Sequence, residues 1–225
     1  HRHVALKIPR SDVTLTPELR RRFQHEAQAA AGLDHPNVVP VYLAKLGHDL
    51  RNQPGMSKTG RDVLQEVLSY YRAILSEHSN NPEVRFQTAI AGHRVGITCH
   101  AFGEWAECES AFREAIQLLE QLLADQPKEP KYEKEFANTL VQFANALRDQ
   151  HKHQQSSDVY ERAVRFADAA LAEDPGNAFY LSFVANAILN WCVPLLAERR
   201  FDEVESHYQR VIELQRPLHA QNPKS

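Results

Sequence analysis

The stretch "EWAECESAFREAIQLLEQLLADQP" (Glu104–Pro127) decides the fold, because its pattern returns at a fixed distance along the chain. Its apolar residues recur at intervals of three and four, which predicts a single apolar stripe along one helix. The stripe consists of Phe112, Ala115, Ile116, Leu119 and Leu122. A lone helix leaves such a stripe in water, so the pattern also predicts that neighbouring helices cover it.

Markers of this stretch return twice, each time 48 residues further along the chain. The repeated positions are Phe112, Tyr160 and Tyr208; Ala115, Ala163 and Val211; and Pro127, Pro175 and Pro223. Each period carries two helical patterns, and one helix pair cannot bury its stripe alone. The repeat therefore predicts a mainly α fold, an α-solenoid of stacked helix hairpins, in which the three aromatic positions have equivalent surroundings.

Six long helices are predicted in the three complete hairpins. They span 82–102, 104–126, 130–150, 156–174, 178–198 and 201–221. Gly103 suits the end of the first helix, and Pro194 is expected to kink or break the fifth. An imperfect earlier unit carries the Leu46-Gly47 pair, so the array is predicted to occupy 43–225, with about 3.5 to 4 repeats.

This pattern resembles the tetratricopeptide repeat (TPR) family. The resemblance rests on Gly96, Phe112 and Ala115, with Cys108 at the small position and Pro127 closing the unit. The period of 48 departs from the family's usual 34, so the helices are expected to be longer. The resemblance implies a protein or peptide partner on the concave surface that the first helices of the hairpins line.

Polar residues in the first helices follow the same period and mark a candidate peptide groove. Arg94, Gln142 and Asn190 form one row, Asn138 and Asn186 form another, and Asn145 and His93 lie near them. Two interpretations stay open for this set: a polar peptide-binding groove, or a face that simply contacts solvent.

The first 42 residues follow a different plan, strand–helix–strand. The segment "HVALKIP" contains β-branched residues and reads as a strand that carries Lys7. The segment "RFQHEAQAAAGLDHPNVVPVY" reads as a helix that carries Glu26, followed by a second strand. These residues resemble part of the small lobe of bacterial serine/threonine protein kinases, a β-α-β remnant. The resemblance implies that Lys7 contacts nucleotide phosphates and that Glu26 holds Lys7, with ATP and Mg²⁺ as the cofactors of a full-length parent kinase.

The other kinase motifs are missing from the sequence. There is no His-Arg-Asp, Asp-Phe-Gly or Ala-Pro-Glu triplet. No catalytic set is complete, so we predict that this chain is inactive and has no cofactor of its own, and that it serves as the protein-interaction region of a kinase-like protein. The alternatives are ATP-dependent Ser/Thr kinase activity in the parent, or a pseudokinase-like regulator that binds nucleotide. Lys7 and Glu26 can also be read as solvated charges in a remnant.

Composition sets the remaining expectations. The net charge is −3, and no long run of one charge occurs, so neither nucleic acid nor a membrane surface is an expected partner. No run of about 18 apolar residues is present, so no membrane span is predicted. The three cysteines form no CxxC pair, and no secretory signal is recognisable, which favours a reducing, cytoplasmic location. The histidines lack the spacing of a zinc site, so no metal is expected. A first residue other than Met suggests a fragment of a longer protein.

Overall fold

The structure is a computed structural model that describes residues 75–216, the backbone of 217–221, and Gln65, Leu68, Ser69, Arg72 and Ala73. Six helices follow one another: α1 Pro82–Phe102, α2 Trp105–Asp125, α3 Pro130–Asp149, α4 His153–Glu173, α5 Ala178–Ala197 and α6 Phe201–Gln221. Every described residue between 65 and 77 is also helical. The predicted kinase-like remnant over 1–42 and the predicted start of the array at Leu43 lie outside the described residues.

The helices form hairpins, as the repeat predicts. Each helix packs against the next one in the chain, and no strand occurs among the residues that the structure describes. The mainly α prediction is confirmed for this part of the chain. Five of the six predicted helices begin and end within one residue of the observed bounds, and α4 begins at His153 instead of Ser156.

The helix ends repeat with the same period as the helices. Asn81 caps α1 by accepting hydrogen bonds from the backbone N–H groups of Glu83 (3.0 Å) and Val84 (3.3 Å). Gly103 ends α1 with a φ of 71°, the left-handed conformation that glycine adopts at low cost. His151 and Arg199, which follow Gly103 at intervals of 48, take φ values of 60° and 59°. The fold imposes this turn even where no glycine is present.

Pro194 does not break α5, so that part of the prediction is wrong. The helix runs without interruption from Ala178 to Ala197 and contains Pro194. Proline in a helix interior removes one backbone N–H donor. Here the lost donor is the one that would bind the Asn190 carbonyl, yet the helix continues for another turn, and the Pro194 carbonyl accepts from the Glu198 N–H at 3.0 Å.

Phe112 shows how the core is built. Its ring is fully buried and lies against Gly96 of α1 and Phe143 of α3, with the two phenyl centroids 5.8 Å apart. A Cβ on Gly96 would lie 2.8 Å from the nearest ring carbon of Phe112, so any residue other than glycine would displace the ring. The glycine and the aromatic residue of the repeat pattern are therefore direct contact partners.

The second and third aromatic positions differ from each other. Tyr160 is fully buried, like Phe112, and its neighbour Ser156 donates a hydrogen bond to the Ala144 carbonyl at 2.8 Å. Tyr208 is 46% exposed. The expectation of equivalent surroundings holds for the first two positions and is wrong for the third. In the described part of the chain, no helix follows α6 to cover Tyr208.

The array bends with the first helices on its inner side. α1 contacts α3, and α3 contacts α5, within 8 Å between Cα atoms. Successive second helices make no such backbone contact among the described residues. Long side chains connect them instead: Arg72 with Glu114, Arg162 with Glu120, and Arg210 with Asp168. The layer with the closer spacing lies on the concave side of a curved stack.

One described helix, α5, has the length and apolar content of a membrane span, with a mean hydropathy of 1.6. Of that window, 56% is buried inside the fold, against α4 and α6 among others. Burial of this kind is typical of a core helix that is hydrophobic on several sides.

Candidate functional site

Five of the predicted groove residues lie at exposed or half-buried positions of α1, α3 and α5, the helices on the concave side. We call this set the inner face and define it by Arg94 on α1, Asn138 and Gln142 on α3, and Asn186 and Asn190 on α5. Asn138 and Asn186 are exposed, and the other three are half-buried. Spacings of four residues within α3 and α5 put each helix's two side chains on the same side of that helix.

Most polar groups of the inner face are unused within the fold. Among the described residues, Arg94, Asn138, Gln142 and Asn186 make no side-chain hydrogen bond. Asn190 donates from Nδ2 to the Asn186 carbonyl at 2.9 Å, which leaves its amide oxygen free. The surface therefore presents several amide donors and acceptors to any molecule that lies across it.

Asn145 belongs to the packing between helices and is not a free groove residue. Its Oδ1 accepts hydrogen bonds from the Tyr160 hydroxyl and, at 3.3 Å, from Arg148. Burial raises the pKa of Tyr160 to about 12, so the phenol stays protonated and keeps donating. Asn145 thus positions the repeated aromatic residue of its own hairpin.

His93 lies between two helices instead of on the open surface. Its side chain is only 13% exposed, and its Nδ1 lies 2.8 Å from the hydroxyl of Thr139 on α3. The Thr139 hydroxyl donates its one hydrogen to the Glu135 carbonyl at 2.7 Å. The contact with His93 must then use the hydroxyl lone pair, so the imidazole donates from Nδ1.

Burial keeps His93 neutral. Removal from water, with a contribution from the neighbouring Arg94, lowers the pKa of His93 to about 4. The Glu135 carboxylate lies 3.5 Å from Nδ1, close enough for an ion pair with a charged ring. Burial also raises the pKa of Glu135, although Arg94 opposes that shift. At neutral pH the His93 ring is therefore neutral, and through Thr139 it connects two hairpins instead of forming a ligand clamp.

Sequence reasoning missed the two partners of His93. Thr139 is 46 residues from His93, and Glu135 is 42 residues away, so neither lies at the repeat period of 48. A signal was present in the polar character of Thr139, which interrupts the buried positions of α3. Apolar groups also reach the inner side: Val193, next to Asn190 on α5, is 47% exposed.

A cavity of about 450 Å³ lies away from the inner face. None of the inner-face residues lines it; the lining residues are Gln65, Leu68, Ser69 and Arg72, Val95 of α1, and Ala106, Glu107, Ser110 and Ala111 of α2. Lys7 and Glu26, the predicted nucleotide contacts, lie outside the described residues. Within the residues that the structure describes, no group of three or more His, Cys, Asp or Glu side chains is arranged to hold a metal ion.

Comparison of the sequence with known proteins finds bacterial serine/threonine protein kinases. PrkC of Bacillus subtilis is 54% identical over 123 residues, which cover 45% of this chain and 18% of PrkC. PknB of Mycobacterium tuberculosis is 50% identical over 42 residues, which cover 19% of this chain and 7% of PknB. This chain thus matches less than a fifth of the length of either relative. No family model matches the sequence.

Comparison with solved structures finds TPR-like arrays. A Podosopora anserina putative kinesin light chain with nearly identical TPR-like repeats superposes on 92% of this chain and 95% of its own, with a TM-score of 0.53 at 18% identity. A second crystal structure of these repeats gives a TM-score of 0.55 at 17% identity and covers 92% of this chain and 94% of that one. At this identity the likeness concerns the fold alone. Both predicted resemblances, to bacterial serine/threonine kinases and to TPR arrays, are confirmed.

Proposed function

We propose that the chain is a protein-interaction module of a serine/threonine kinase-like protein, and that it binds an extended peptide segment of a cytoplasmic partner along the inner face. The unused amide groups of Asn138, Gln142, Asn186 and Asn190 are the observation that carries this proposal. The TPR-like fold and the kinase relatives support it at the coarser level of protein binding.

The chemistry of the inner face fits a peptide backbone. Amide side chains both donate and accept, as the N–H and C=O groups of an extended chain require. Packed helices are spaced by about 8 to 10 Å, which matches about three residues of an extended peptide at about 3.3 Å each. One amide row can therefore meet successive backbone groups of the same ligand, and Arg94 at the α1 end favours an acidic side chain there.

Removing the amides should weaken peptide binding without unfolding the array. Peptides selected from a random phage-displayed library on the wild-type chain should bind the N138A/Q142A/N186A/N190A variant about 10- to 100-fold more weakly, because several hydrogen bonds of about 0.5 to 1.5 kcal/mol each are lost. Fluorescence polarisation with the selected peptides measures this change.

The matched control removes amides from the opposite side. Gln117 and Gln121 are exposed on α2, a second helix. The Q117A/Q121A variant should bind the same peptides as tightly as the wild type. Equal losses in both variants, or no loss in the inner-face variant, would contradict the proposed site.

Nucleotide binding is the second candidate, favoured by the kinase relatives. We expect no phosphate transfer from ATP and Mg²⁺ to a generic Ser/Thr substrate, because the base and metal ligands of a kinase are missing from the sequence. A rise in Tm with ATP that Lys7→Met abolishes would assign a nucleotide-binding regulatory role to the chain. Phosphate transfer that Lys7→Met abolishes would overturn its assignment as inactive.

A further inference from the structure

The last hairpin exposes an apolar surface that the earlier hairpins bury. Val164 of α4 is buried, whereas Ile212, 48 residues later on α6, is 56% exposed. Tyr160 and Tyr208 differ in the same way. Most of the exposed large hydrophobic side chains in the described residues belong to this hairpin: Leu189, Val193, Leu196, Phe201, Tyr208 and Ile212. Three of them, Phe201, Tyr208 and Ile212, share one side of α6, because spacings of seven and four residues return to the same side of a helix; we call the surface that they form the end face.

On α6 the end face is flanked by an acidic residue on its N-terminal side and by a basic residue on its C-terminal side. Glu205 lies one turn before Tyr208, and Arg216 lies one turn after Ile212. All four side chains are exposed and share one side of the helix, because their spacings of three and four residues follow the helical turn. Glu205 and Arg216 have no ion-pair partner within the part of the chain that the structure describes.

Along α6 the order is acidic–apolar–apolar–basic. When two copies of this helix lie antiparallel, the acidic residue of each faces the basic residue of the other, and the apolar residues face each other. An antiparallel pair of α6 helices with a two-fold axis near residue 210 sets Tyr208 against Ile212 of the partner subunit. The same arrangement sets Glu205 near Arg216 of the partner subunit, and the symmetry repeats both contacts. Such an isologous contact uses the same surface on both copies.

We propose that the end face binds a second copy of this chain, and that α6 forms the antiparallel centre of a two-fold symmetric dimer. Burial of Tyr208 and Ile212 supplies the driving force, and the two Glu205–Arg216 contacts set the direction of pairing. Ion pairs between second helices are already present inside the array, where Arg210 binds Asp168. The proposal does not depend on the peptide groove.

The oligomeric state of the full chain tests the proposal. Sedimentation velocity from about 1 to about 100 μM should show a concentration-dependent rise from the monomer mass of 25.7 kDa to twice that mass. Ile212→Glu should weaken the dimer at least about tenfold, because it places a charge in the apolar centre. Gln117→Glu adds the same charge to exposed α2 and should leave the dimer unchanged.

Variants that reverse the charge at position 205 or 216 distinguish the antiparallel α6 pairing from other modes of self-association. Glu205→Arg and Arg216→Glu should each weaken self-association by about tenfold, since each variant faces its own copy with like charges. An equimolar mixture of the two variants should dimerise, because both contacts then join opposite charges. A monomer at all concentrations, a dimer insensitive to Ile212→Glu, or a mixture no stronger than the single variants would overturn the proposal.

Discussion

Phe112→Ala lowers the free energy of unfolding by about 3 to 5 kcal/mol, the usual cost of truncating a fully buried aromatic side chain. The ring fills the space between Gly96 and Phe143 and is not exposed at all. The alanine variant loses that apolar burial and leaves a cavity between two hairpins. Urea unfolding followed by circular dichroism measures the loss.

Tyr208→Ala is the matched control, because Tyr208 occupies the same position of the repeat. Its ring is 46% exposed, so the variant should lose less than about 1 kcal/mol. The protein should be dilute in both experiments, so that the proposed dimer does not add to the stability of the wild type. Equal losses for the two variants would contradict the structural difference between the inner and terminal repeats.

His93 makes stability depend on pH between about 6.5 and about 4. In the unfolded chain the imidazole has its ordinary pKa of 6.5, whereas in the folded chain burial lowers the pKa to about 4. Below pH 6.5 the unfolded state therefore binds the proton more readily, and stability falls with pH until the folded ring is protonated as well. The difference corresponds to about 3 kcal/mol.

The comparison with His93→Gln isolates this contribution. Glu135 faces His93 from α3 and acts in the opposite sense, because its raised pKa favours protonation in the folded state as pH falls. Glu135 and the other titratable groups are present in both proteins, so the difference between the two pH profiles reports the imidazole. The stability difference between wild type and variant should therefore shrink by about 2 to 3 kcal/mol from pH 7 to pH 4. A wild-type pH profile in His93→Gln would refute the prediction.

The helices that carry the candidate residues were predictable, whereas the contacts of the individual side chains were not. The period placed Arg94, Gln142 and Asn190 on successive first helices, and they lie on α1, α3 and α5. It also included His93 and Asn145, whose side chains turn to neighbouring helices. A spacing along the chain identifies the side of a helix, but a residue at the edge of that side can face either solvent or the next helix.

The six helices, their pairing and their period follow from the amino-acid sequence alone, because helix formation and the apolar stripe depend on residues three and four positions apart. The sequence also identified Gly96 and Phe112 as repeat markers. The three-dimensional packing was needed to show that Gly96 and Phe112 touch, that Pro194 stays inside α5, and that Tyr208 is exposed while Tyr160 is buried. Each of these outcomes depends on which element packs across the residue, and such contacts join positions that are far apart in the chain.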